Sequence, residues 1–164
     1  MFGDGAAAAV VGCKPGGRAI GQGGEHTWPG SLDVMGWRVS SDGLGVLFSR
    51  DIPTLIRDRF GEAARVFLAG QGLTFQDVAC FVAHPGGAKV LTAMEQVYGL
   101  PSGGLRQARD VLRAFGNMSA VTVLFVLQQA LADGEDGRLL LSALGPGFTA
   151  GFLLIEPRAD AARP

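Results

Sequence analysis

Apolar positions along this chain recur with two periods, and the alternation between them outlines the fold. Ile52, Leu55, Ile56, Phe60, Ala63 and Phe67 follow the spacing of one helix face, with Asp51 at the N-cap position and Pro53 in the first turn, where a missing N–H costs nothing. Val90, Leu91, Met94, Val97 and Tyr98 mark a second helix, and Leu105, Ala108, Leu112 and Phe115 a third. Residues 118–133 are apolar almost all round, which predicts a helix at the protein centre. Shorter continuous apolar runs read as strands. Residues 6–12 suit a strand buried on both faces, "DVACFVAH" a strand ending on His84, and "GRLLLSALGPGFTAGFLLIEP" a hairpin around Gly145-Pro146-Gly147. The pair Asp42-Gly43 splits "WRVSSDGLGVLFS" into a second hairpin, and the glycine-rich residues 14–30 read as a long exposed loop. Strands alternating with helices predict a layered α/β fold, a mixed sheet packed between helices, over residues 1–156, followed by a disordered tail at 157–164.

Composition narrows the functional classes. The chain has 164 residues, 48% of them hydrophobic, and a formal net charge of −1, enough to bury one core and without the basic surplus that nucleic acid or an anionic membrane requires. Its 2 cysteines, Cys13 and Cys80, have no CxxC or metal-ligand spacing, so neither a disulfide framework nor a metal site is expected, and a cytoplasmic location fits. No apolar run is long enough to span a bilayer, and the start lacks the features of a signal peptide. The chain opens in mid-motif, a few residues before a strand, and is expected to be a fragment of a longer protein.

Two polar residues stand out. His84, in His84-Pro85-Gly86-Gly87, ends an apolar strand where glycines let a ligand approach the backbone, and strand carboxyl ends are the usual rim for sites in α/β sheets. Asn117, in Gly116-Asn117-Met118-Ser119, opens the most apolar helix, where a carboxamide needs a partner. Each has a structural reading when judged singly: a core histidine with a satisfied hydrogen bond, and an ordinary helix cap. Delivered to one place, a neutral imidazole and a carboxamide can both donate to a thioester oxygen and stabilise an enolate. His26 reads as a solvated loop residue and Cys80 as an inert core thiol. Cys13, beside Lys14 at a strand end, has some claim to exposure, yet neither cysteine opens a helix. The glycine runs match neither a dinucleotide fingerprint nor a P-loop, and no carboxylate pair stands out.

Four ordered motifs, "FGDGAAAAVVG", "HPGGAKVL", "GNMSAVTVLFVL" and "GPGFT", resemble the carboxyl-terminal half of a type III polyketide synthase of the chalcone and stilbene synthase family, from Phe2 to about Glu156. The resemblance implies a thiolase-like fold and a Cys-His-Asn site that loads an acyl group from acyl-CoA and extends it with malonyl-CoA by decarboxylative Claisen condensation, with coenzyme A thioesters as substrates and no cofactor. His84 and Asn117 match the family's catalytic histidine and asparagine. Phe2 matches a phenylalanine at the junction of coenzyme A tunnel and cavity, and Val46 falls where plant members carry a second one, which would widen the entrance. Gly145, Pro146 and Gly147 match a cavity-wall loop. The turn from Gly86 and Gly87 to Lys89 would lie near the coenzyme A arm, and Ser119 is carried over with its motif as substrate-binding.

The phrase "GWRVSSDGLGVLFSRDIP" looks more like bacterial alkylresorcinol or alkylpyrone synthases, which implies a long fatty acyl starter. The full-length family member is expected to be a homodimer. The family's nucleophilic cysteine belongs to the amino-terminal half, so this chain should be inactive without that half as partner. A non-catalytic partner or remnant of a synthase, and a ketoacyl-carrier-protein synthase-like domain, stay open as alternatives.

Overall fold

The alternating runs resolve, in the computed structural model, into a mixed sheet with helices on both faces. Residues 2–13 and 17–158 are described. In chain order the elements are β1 (Arg18–Thr27), β2 (Met35–Ser40), β3 (Gly43–Phe48), α1 (Ile52–Leu55), α2 (Gly61–Ala69), β4 (Cys80–Ala83), α3 (Ala88–Tyr98), α4 (Arg106–Phe115), α5 (Thr122–Ala132), β5 (Leu139–Gly145) and β6 (Thr149–Arg158). The main sheet has the order β1-β6-β5-β4, with β4 and β5 parallel and the other pairs antiparallel, while β2 and β3 form a separate hairpin.

Register assigns the sheet faces. Ala83, Ser142 and Phe152 lie side by side across β4, β5 and β6, as do Phe81, Leu140 and Leu154. This face receives Phe60 and Phe67 on Phe152, at ring-centroid distances of 5.5 and 5.3 Å, and Tyr98 stacked on Phe81 at 4.1 Å. The alternate residues Cys80, Val82, Leu139 and Leu141 point the other way, where α4 and α5 contact β4. Fully burying each of these large side chains contributes on the order of 2 kcal/mol.

Most predicted elements are present. The helix from Asp51 is continuous but not uniform: a π-helical segment, Ile56–Phe60, joins α1 to α2 and keeps Ile52, Ile56 and Phe60 on the buried side. Asp51 occupies the N-cap position without a side-chain capping bond; its N–H instead donates to Ser49 Oγ at 3.1 Å. Helix α4 buries Leu105, Ala108 and Val111, and Phe115 is exposed. A 3-10 turn, Ser119–Val121, precedes α5, which buries only Thr122, Val126 and Ala130, so this apolar helix lies on one face of the sheet with its other flanks half-open and not at the centre that its all-round apolarity predicts.

Three further expectations are overturned. The expected loop at residues 14–30 contains β1, ten residues paired antiparallel with β6. Its glycines hide a strand because β6 supplies the pairing and the narrow backbone lets neighbours close in; a Cβ on Gly24 would lie 2.8 Å from Phe67 Cδ2. His26 is accordingly an exposed strand residue, edge-on to Trp28. Conversely, residues 6–12 form no strand, and Val10 and Val11 are exposed. A strand buried on both faces needs paired neighbours for its N–H and C=O groups, and among the described residues none pairs with this run. Finally, β6 extends to Arg158, so the expected tail gives its first two residues to a strand; residues 159–164, like Lys14, lie outside the described residues. No helix among the described residues is long and apolar enough to cross a membrane.

Candidate functional site

His84 sits one residue past β4, and its N–H continues the parallel ladder by donating to Ser142 O at 2.8 Å. The chain then turns tightly, with Gly86 N–H donating to His84 O at 3.0 Å, and Gly87 takes the N-cap position of α3. The imidazole therefore stands between a sheet edge and a helix start, on the wall of a cavity of about 1210 Å³. Nδ1 is buried and has no hydrogen-bond partner among the described residues. Burial pushes the imidazole down to about 4, so the ring is neutral at pH 7.

Asn117 reaches the same cavity from the segment between α4 and α5. Gly116, at φ 74°, ends α4 in a conformation that a side-chain-bearing residue rarely adopts, and redirects the chain inward. Asn117 is 6% exposed. Its Oδ1 accepts from Ser119 N–H at 2.8 Å, and its Nδ2 stands 3.4 Å from Gly86 O, in the turn that follows His84. Asn117 is not a helix cap, since Met118 holds that position; its carbonyl end serves the local backbone, while the amide nitrogen faces the turn after His84. Gly3 N–H donates to Asn117 O at 3.0 Å, and Phe2 and Asn117 form an isolated bridge, which brings Phe2 to the cavity.

The β2–β3 hairpin supplies an apolar wall. Cross-strand pairs Met35/Phe48, Trp37/Val46 and Val39/Leu44 share one face, and the first four of these residues line the cavity. Val46 lines the cavity. Phe48, two residues on and on the same face, has its ring centroid 6.1 Å from that of Phe2. Gly86, Ser119, Gly145 and Pro146 also line the cavity; Gly87 and Gly147 do not, the first capping α3 and the second accepting from Ser31 Oγ in the β5–β6 turn. Phe48, Trp37 and Arg50 are lining residues that the sequence reading passed over, and Lys89, at the end of the Gly86 to Lys89 stretch, also lines the cavity. The hairpin alternation would have found the first two, since each shares a face with Val46.

Neither cysteine reaches the cavity. Cys80 is buried on the α4–α5 face, where desolvation, followed by nearby Glu135 and Asp133, pushes its thiol up to about 11; Cys13 is exposed elsewhere. What the cavity offers is two neutral polar side chains on a mainly apolar wall that also carries Glu25, Arg50 and Lys89, an arrangement that favours an oxygen on which negative charge develops.

Residues 19–157 match the carboxyl-terminal domain of the chalcone and stilbene synthases. The chain belongs to the chalcone and stilbene synthase family. Within it, a chalcone synthase-like protein of Bacillus subtilis (strain 168) is 43% identical over 129 residues, which is 77% of this chain and 35% of the relative. A 1,3,6,8-tetrahydroxynaphthalene synthase of Streptomyces peucetius subsp. caesius is 37% identical, over 95% of this chain and 44% of that protein. The family chain therefore spans less than half the length of these relatives. Among solved structures, 1,3,6,8-tetrahydroxynaphthalene synthase from Streptomyces coelicolor A3(2), a bacterial type III polyketide synthase, superposes with a TM-score of 0.80 at 24% identity, covering 87% of this chain and 42% of that one. CsyB complexed with CoA-SH gives 0.77 at 22% identity, covering 85% and 40%. These likenesses establish the thiolase-like α/β fold of the carboxyl-terminal half.

Proposed function

We propose that this chain forms the enolate-stabilising half of a type III polyketide synthase site, taking malonyl-CoA in the cavity beside His84 and Asn117. The observation that carries this reading is the delivery of a neutral imidazole and a fixed carboxamide to one apolar cavity. As the bond between the malonyl Cα and its carboxylate breaks, carbon dioxide leaves and the electron pair passes into the thioester, forming an enolate. The enolate oxygen accepts from His84 Nε2–H and Asn117 Nδ2–H, donors that gain strength as charge develops. The enolate carbon attacks the carbonyl of an acyl group held as a thioester on a cysteine, and that cysteine departs as thiolate. Neither Cys13 nor Cys80 can be this cysteine, so it comes from an amino-terminal part outside this sequence, and the chain alone does not condense.

Coenzyme A itself finds Arg50 and Lys89 at the cavity wall, cations suited to its phosphates. The hairpin ladder supports an aliphatic starter, since Met35, Trp37, Val46 and Phe48 present a continuous apolar surface with no charged side chain on that face. The test is to co-express the chain with a family amino-terminal half and follow malonyl-CoA decarboxylation. His84→Ala and Asn117→Ala should each lower the rate by roughly 10²-fold or more; full activity in either would sink its assigned role. A non-catalytic partner role would instead leave decarboxylation absent in the assembled protein while binding to the amino-terminal half persists.

A further inference from the structure

The polar pair Tyr98 and Ser142 has no part in the chemistry above, yet it sits directly behind it. Tyr98 Oη and Ser142 Oγ lie 2.8 Å apart, with the two residues 5% and 2% exposed, in a core otherwise made of Phe60, Phe75, Phe81 and Phe152. Two hydroxyls in aromatic surroundings add little net stability over a well-packed apolar pair, while either one left alone is costly. What the pair provides is a position. Ser142 is paired with Ala83 across the β4–β5 ladder, and its main-chain carbonyl is the acceptor for His84 N–H. Its side chain grips Tyr98, the last residue of α3, the helix into which the His84-Pro85-Gly86-Gly87 turn leads.

We propose that Ser142 is a positioning residue for His84, fixing the strand before the catalytic turn through its carbonyl and the helix after the turn through Tyr98. One residue thereby sets both ends of the link that carries the imidazole. An all-apolar core would pack α3 on the sheet without specifying how far it slides along it; a directional bond of this length does specify it. The inference rests on His84 being the functional imidazole, but the test needs no catalysis.

The double variant Tyr98→Phe/Ser142→Ala leaves no buried hydroxyl without a partner, so it should fold with stability near that of the parent. Two readouts on this chain then separate positioning from packing. Hydrogen exchange at His84 N–H should quicken about tenfold relative to Cys80 N–H, which occupies the other end of the same strand and donates to Arg138 O. The imidazole, followed by NMR, should titrate closer to the ordinary histidine value, in a cavity whose other charged lining groups are Glu25, Arg50 and Lys89. Ser142→Thr, which keeps the hydroxyl, should preserve both signals. If the double variant exchanges and titrates like the parent, the positioning role is overturned while the enolate reading stands. If His84 is displaced as expected but His84→Ala in the assembled enzyme keeps full decarboxylation, the enolate reading fails and the positioning geometry survives. Should the double variant not fold, Tyr98→Phe alone carries the same two measurements, and parental values in it overturn the proposal.

Discussion

The main-chain N–H of Ser119 donates to Oδ1 of Asn117, and this bond leaves the carboxamide nitrogen as the end that faces the turn after His84. With the oxygen engaged, the nitrogen is the end left toward the Gly86 turn. Ser119 holds this arrangement at φ 63°, the one non-glycine residue with positive φ among the described residues.

Ser119→Gly should therefore be tolerated, changing stability by no more than about 1 kcal/mol in either direction, because glycine adopts that backbone without strain. Ser119→Val should cost roughly 1–3 kcal/mol, since a branched side chain resists positive φ. Denaturant unfolding of the two variants checks the contrast, and the valine variant should also lose decarboxylation in the assembled enzyme.

Acid should destabilise this chain in two stages. The folded imidazole of His84 titrates at about 4, below the 6.5 of an ordinary histidine, so between these values the unfolded chain binds more protons. Stability contributed by His84 falls as pH drops below 6.5 and levels off below about 4, for a total on the order of 3 kcal/mol. Arg109, bonded to the Glu95 carboxylate, holds that group below its usual range, and the associated stability is present above that range and lost as pH falls through the lowered value. Unfolding curves from pH 7 to 3 should show both slopes, and His84→Gln should remove the first alone.

The Glu95–Arg109 pair ties α3 to α4, with Glu95 2% exposed and also accepting from Leu105 N–H at 3.2 Å. Arg109→Ala should cost about 3 kcal/mol, because it strands a buried carboxylate. Exposed Arg113, paired with Asp110 one turn away, should cost less than about 1 kcal/mol on the same change. Thermal unfolding of the two variants side by side tests the difference.

At the cavity mouth, Phe48→Ala should open the gap opposite Phe2, where Val46 offers no ring. In the assembled enzyme the variant should favour bulkier acyl-CoA starters over acetyl-CoA by about tenfold in relative kcat/KM, the scale of one to two methylenes of added room. An unchanged starter profile would remove Phe48 from the entrance.

The sequence reading succeeded where burial and period agree. The faces of α3, the β5–β6 hairpin and the β2–β3 hairpin could all be read from spacing, as could Cys80 as a core thiol. It failed where pairing overrides composition: β1 is glycine-rich and reads as loop, yet β6 turns it into strand, and residues 6–12 read as strand but find no neighbour. Glu95 escaped notice because its partner is fourteen residues away on another helix, so nothing in the local pattern of α3 separates it from a solvated carboxylate. The two site residues were each ambiguous alone. Only the ordered motifs bring them together, whereas nothing in the local pattern separates Phe48, the ring beside Phe2, from the other apolar residues of β3.

Strand β4 has every residue buried although it ends the sheet order, and its four residues, Cys80, Phe81, Val82 and Ala83, include no charge or proline. With every residue buried and α4 and α5 packed on it, the strand has little free surface to offer an incoming extended peptide, and it carries His84 at its tip. The strand that leads to His84 is thus shielded from contact between molecules, so hydrogen exchange at His84 N–H should be the same in dilute and in concentrated solution.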